Sequence, residues 1–109
     1  MKLHQDLTAS RWHKLNIFEQ MANIGAEVGR AINWQEKSPT DSRMAFERAL
    51  ELLDLTIADP KNKKRLKELL RLRETLADYF VFDNEYSSSK DSWNNYFYAF
   101  NYAARLNHY

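Results

Sequence analysis

Apolar residues recur along this chain with helical spacing, and polar punctuation cuts the pattern into four segments. The first helix is predicted over about residues 10–37. It carries one stripe of Leu15, Phe18, Ala22, Gly25, Gly29 and Ile32, and a second of Ile17, Met21, Ile24, Val28 and Ala31. At 1.5 Å per residue it would be about 40 Å long. Ser38-Pro39-Thr40-Asp41 then reads as a start signal. Ser38 can cap, Pro39 suits the first helical position and Asp41 stands where a capping box wants an acid. The second helix, residues 39–59, has the stripe Phe46, Ala49, Leu50, Leu53 and Ile57. Asp59-Pro60 repeats the cap-then-proline device, so the third helix, 60–82, should follow almost without a loop. Its stripe reads Leu66, Leu69, Leu70, Leu76, Ala77 and Phe80. Residues 83–89 form the one real loop. Ser88 with Asp91, or Ser89 itself, caps a fourth helix over 90–107. Short connections favour antiparallel neighbours, and the expected fold is an all-α, antiparallel up-down-up-down four-helix bundle in a single domain, 1–109.

Composition narrows the picture. The chain has 109 residues, of which 44% are hydrophobic and 28% charged, a globular balance. Only 2 glycines and 2 prolines are present, too few for a turn-rich barrel or a phosphate-binding loop fold. Cysteine is absent, which excludes disulfides, zinc knuckles and thiol nucleophiles. No apolar run reaches the ~20 residues that span a bilayer, and the first residues lack the apolar stretch of a signal peptide. A cytoplasmic protein without membrane contact is expected.

The fourth segment is rich in aromatics. Trp93, Phe97, Phe100 and Ala104 can face the core, whereas Tyr98, Tyr102, Arg105 and Tyr109 fall on another face. Two readings stand. The tyrosines form an oligomer interface, and Gly25 and Gly29, four residues apart on the first helix, allow close backbone approach of another helix or of a neighbouring subunit at that interface. Alternatively the core is broad and the tyrosine tips reach water. Base stacking on the tyrosines is a variant of the first reading.

Charge adds a second feature. From Lys61 to Arg73 there are seven cations against the single Glu68. Cations at a helix N-terminus oppose its dipole, which invites another reason for them. Lys64, Lys67 and Arg71 share one line and could contact phosphates. The acidic second helix, with Asp41, Glu47, Glu51, Asp54 and Asp59, could instead neutralise them, and the net charge of the whole chain is only +1. Arg73 falls in line with the apolar residues of its helix. Its carboxylate partner would be Glu27, Glu47 or Glu51, and the first helix also carries Gln20, Asn23, Glu27 and Arg30 along one line. A buried ion-pair network is one reading; a polar binding cleft, where an enzyme would use Glu27 and Arg73, and plain exposure are the others.

Catalytic signatures are missing. The three histidines, His4, His13 and His108, have no metal-site spacing, and no Glu-x-x-His pair is present. Arg105 and His108 are too close in sequence for a ribonuclease-type Arg…His pair. Asp78, Asp83 and Glu85 could hold a hard cation or simply form an acidic loop. No enzyme activity, cofactor or metal is expected.

Asn23-Ile24-Gly25-Ala26-Glu27-Val28-Gly29-Arg30 resembles the Asn-Ile-Ala-Glu-Gly-x-x-Arg signature of a bacterial four-helix-bundle family. That family includes proteins encoded in intervening sequences of large-subunit ribosomal RNA genes and the accessory variability determinant of diversity-generating retroelements. Asn23, Ile24 and Arg30 match in position, and Glu27 is displaced by one residue. Phe46, Arg48 and Leu50 resemble the start of the family's next helix, whose Gly-Ser step is replaced here by Leu52-Leu53-Asp54. The resemblance implies a ring-forming homo-oligomer, pentameric in known relatives, with a basic surface for nucleic acid or a polymerase partner.

Overall fold

The computed structural model describes residues 9–106, and among them every regular element is helical. A short helical turn at residues 9–12 precedes α1 (Ile17–Trp34), α2 (Pro39–Ala58), a 3-10 segment (Pro60–Arg65), α3 (Leu66–Phe80) and α4 (Lys90–Leu106). No helix among the described residues is long and apolar enough to cross a membrane.

The first segment departs from the expected continuous helix. Asn16 stops it and restarts it. Its side chain accepts from the Glu19 N–H at 2.9 Å, and Glu19 Oε1 accepts from the Asn16 N–H at 3.0 Å. This reciprocal capping box starts α1 at Ile17, so residues 9–16 fold back as a separate strap. Trp12 anchors that strap in the core, donating its indole N–H to Thr56 Oγ1 at 2.8 Å.

The second start signal is borne out in part: the Asp41 carboxylate does not complete a capping box, because the Ser38 N–H donates to the Trp34 carbonyl at 2.8 Å. Ser38 caps α2 through the Asp41 N–H, with Pro39 in the first turn. The third does not give a full α-helix from residue 60. Asp59 caps a 3-10 segment that bends at Asn62, and α3 proper begins at Leu66. Ser89 begins α4: its Oγ accepts from the Ser92 N–H, and Ser92 Oγ accepts from the Ser89 N–H.

The core gathers one stripe from each helix. Met21, Ile24, Val28, Ala31 and Ile32 come from α1, and Ala45, Phe46, Ala49 and Leu53 from α2. Leu69, Leu72 and Leu76 come from α3, and Trp93 and Phe97 from α4. Helix α1 lies against both α2 and α4, and α3 lies against α2. Between α3 and α4, aromatic side chains make the contact. The Tyr79 and Trp93 rings are 6.1 Å apart, and Tyr96 donates to Glu68 at 3.0 Å.

The two glycines expected where another helix or a neighbouring subunit approaches closely fare differently. A Cβ on Gly25 would lie 2.8 Å from Phe97, so α4 of the same chain already covers that position. A Cβ on Gly29 would meet nothing within 4 Å. Gly25 is thus a helix-packing residue, needed because the bulky Phe97 ring sits directly on the α1 backbone.

Candidate functional site

The outer face of α4 is the most unusual surface of the molecule. Trp93 and Phe97 point inward and are buried, while Phe100 and Ala104 are half-buried. On the opposite side Tyr98 is 61% exposed, Tyr102 53% and Leu106 57%. The Tyr98 and Tyr102 rings stack on each other with centroids 6.4 Å apart and planes 18° apart. Two large rings are therefore held together on the surface and left mostly uncovered by the other described residues. Arg105 is exposed beside them, and Tyr109 lies outside the described residues.

Not every tyrosine of α4 is free in this way. Tyr96 turns inward against Phe97 and Phe100 and binds Glu68. Burial and the nearby Glu68 carboxylate push its phenol well above the usual tyrosine value. The sequence pattern separated inner from outer aromatics correctly for Trp93, Phe97, Tyr98 and Tyr102.

The basic block is rearranged relative to a single helical line. Lys64 sits in the 3-10 segment and Lys67 and Arg71 on α3; all three are exposed. The block is partly neutralised from several directions. Lys61 pairs with Asp59 at 2.6 Å, Arg65 with Glu68 at 3.0 Å and Arg73 with Asp54 at 2.7 Å. Arg71 lies over the Tyr86 ring, 5.2 Å from its centroid. Tyr86 in turn donates to Glu74 at 2.9 Å, which raises the tyrosine's pKa and pins the loop onto α3. Lys63, Lys64 and Lys67 make no ion pair among the described residues.

The expected buried network of Glu27, Arg30 and Arg73 does not form. Arg73 sits at the surface, with its side chain 41% exposed, and meets Asp54 of α2 rather than Glu27, Glu47 or Glu51. The Asp54 hydrogen bond raises the guanidinium pKa further. The reason lies in the phase of α3. Leu69, Leu72 and Leu76 define its inner face, which leaves Leu66 and Leu70 exposed and carries Arg73 to the margin. Glu27 and Arg30 pair with each other at 2.9 Å on α1. They line an open cavity of about 310 Å³ with Trp34, Asp41, Met44, Ala45 and Arg48, far from any role with Arg73.

A different buried polar network takes its place. Gln20, fully buried, donates to Asp59 Oδ2 at 2.9 Å and to the Trp12 carbonyl at 3.0 Å, and accepts from Asn62 at 2.8 Å. Asn62 also donates to the Thr56 carbonyl at 3.0 Å. Lys61 Nζ bridges Asp59 and the His13 carbonyl, both at 2.6 Å. Burial alone would push the Asp59 carboxyl up. Hydrogen bonds from Lys61 and Gln20 outweigh it and hold the group below its usual value. Both Gln20 side-chain atoms and the Asn62 amide nitrogen are partnered within the chain, so the network locks the strap to the α2 C-terminus. The sequence signals for it were Gln20, in line with Glu27 and Arg30 on the first helix, and Asn62 just after Asp59-Pro60.

Asp78, grouped in the sequence with Asp83 and Glu85, organises the loop. Its carboxylate accepts from the backbone N–H groups of Glu85 at 2.8 Å and Tyr86 at 3.0 Å. No group of three His, Cys, Asp or Glu among the described residues is placed to hold a metal. Comparison with family models, with curated proteins and with solved structures gives no match to this chain.

Proposed function

We propose that this protein is a self-associating interaction module without catalytic chemistry, and that its contact surface is the outer face of α4. The observation that carries this is the stacked pair Tyr98 and Tyr102, more than half exposed, with Leu106 one turn further on. Water solvates such a surface poorly, and tyrosine is enriched where proteins meet because its ring is apolar and its hydroxyl can still be paired. Small domains also gain stability by associating.

In this reading the four long helices form an antiparallel up-down-up-down bundle. Pairings near opposite helix ends support it. Ser42 near the start of α2 donates to the Ala31 carbonyl near the end of α1, whereas Gln20 near the start of α1 reaches Asp59 beyond α2. Phe46 meets Phe80, and Asp54 meets Arg73. The resemblance at residues 23–50 points the same way, to a helical-bundle homo-oligomer.

Sedimentation or light scattering tests the proposal. The chain is expected to associate in the micromolar range, and Tyr98→Ala with Tyr102→Ala to return it to a monomer. A wild-type chain that stays monomeric at high micromolar concentration overturns it.

A second reading, a nucleic-acid accessory protein, is favoured by Lys63, Lys64 and Lys67, which lack carboxylate partners among the described residues. It predicts binding of labelled RNA or DNA that weakens steeply with salt. Lys64→Ala or Lys67→Ala would each reduce the salt slope by about one.

A further inference from the structure

The outer face of α4 carries more than tyrosines. Asp91, Asn95, Tyr98, Tyr102 and Arg105 follow one another at intervals of four, three, four and three residues, and all five are exposed. That is the spacing of a seam along which two helices pack side by side. It lies directly opposite the buried Trp93 and Phe97. The seam is charged only at its ends, with Asp91 in the first turn of α4 and Arg105 in its last. Among the described residues neither takes part in an ion pair.

We propose that the occupant of this seam is a second copy of the chain, with the two α4 helices antiparallel and the two-fold axis passing beside Tyr98. This rests on the self-association read from the same face and adds its geometry. Asp91 and Arg105 stand seven residues on either side of Tyr98. An antiparallel pair centred there places each Asp91 opposite the partner's Arg105, about 21 Å apart along the helix from the reverse pair. A parallel pair would set Asp91 against Asp91 and Arg105 against Arg105, which is repulsive at both ends. The same surface patch then serves both copies, as a two-fold interface requires. Between the ends lie the stacked tyrosines and Asn95, with no charge to bury. In each copy Asp91 and Arg105 already suit the dipole of their own helix, and antiparallel pairing brings opposite poles together.

Charge reversal tests this register. Asp91→Arg alone and Arg105→Asp alone each turn both end contacts from attraction to repulsion. Each should loosen the dimer about tenfold at low salt. The double variant D91R/R105D restores opposite charges at both ends and should return to within about twofold of wild type. In a parallel pair the single reversals leave repulsion as it was and would not loosen the dimer. Because the chain has no cysteine, orientation can also be read with a short bismaleimide. Asp91→Cys mixed with Arg105→Cys should cross-link between the two variants. Efficient cross-linking of Asp91→Cys to itself overturns the antiparallel arrangement. All these positions are exposed, so circular dichroism should show an unchanged fold. If Tyr98→Ala dissociates the dimer while charge reversal does nothing, the register fails and the α4 contact surface stands. If wild type is a monomer, or no α4 variant matters, both fall.

Discussion

Gly25 and Phe97 are in such close contact that a methyl group on the glycine would lie 2.8 Å from three atoms of the phenylalanine, including its Cβ. Phe97 cannot swing away, because its Cβ is fixed to the α4 backbone. Gly29, one turn further along α1, has open space where its Cβ would be. The two glycines therefore answer the same substitution with opposite signs. Gly25→Ala is expected to destabilise the fold by about 1–3 kcal/mol, the usual range for forcing volume into a packed core. Gly29→Ala is expected to stabilise it by about 0.5–1 kcal/mol, because alanine restricts the unfolded chain and suits a helix better. Urea denaturation of the two variants beside wild type measures both.

Arg73 gives the second prediction. A buried guanidinium stripped of its partner would destabilise the fold by several kcal/mol, but this one is at the surface with its Asp54 partner 53% exposed. Solvent screens such a pair. A double-mutant cycle with Arg73→Ala and Asp54→Ala should return a coupling of no more than about 1 kcal/mol, falling with added salt. Leu69→Ala, a few residues away on the inner face, should destabilise by about 2–5 kcal/mol. A coupling as large as the Leu69 effect would mean that the pair is buried.

The contrast between these residues shows what sequence spacing can and cannot carry. Helix α2 was legible because its apolar positions fall on one face, and Ser38-Pro39 marks its start with two independent signals. Helix α3 has leucines at 66, 69, 70, 72 and 76, which wrap most of the cylinder. Periodicity alone cannot choose among such faces, so Arg73 reads as inward when it is marginal. The break before α1 is written in Asn16 and Glu19, but Leu15, Ile17 and Phe18 carry the apolar pattern straight through it. A capping box outranks that pattern because it satisfies backbone N–H groups that a continuous hydrophobic stripe cannot. The buried Gln20 network was the least legible feature. Its members are distant in sequence, and only folding brings Trp12, Gln20, Thr56, Asp59 and Asn62 together. On α4, by contrast, spacing alone separates the inward Trp93 and Phe97 from the outward Tyr98 and Tyr102, so the candidate surface was visible before the fold.

Asp59 supplies the last prediction, which concerns pH. Its carboxylate accepts from Gln20, from the Lys61 ammonium and from the Lys61 backbone N–H. These contacts lower its pKa in the folded state below the ordinary 3.8. The unfolded chain then binds the proton more readily than the folded one, so stability rises with pH across this interval. The contribution is complete above the unfolded value and is lost as pH falls through the lower folded value. Asp59→Asn keeps an oxygen to cap the 3-10 segment but removes the charge and sets an amide against Gln20 or Lys61. At pH 7 it should destabilise by about 1–3 kcal/mol. The gap between wild type and variant should narrow as pH drops below 3.8, because protonated wild type loses the same interaction. Denaturation midpoints of both proteins from pH 6 to about pH 2 test this, since acid effects from other carboxylates cancel in the difference. A gap that stays constant over that range would show that Asp59 contributes only neutral hydrogen bonds.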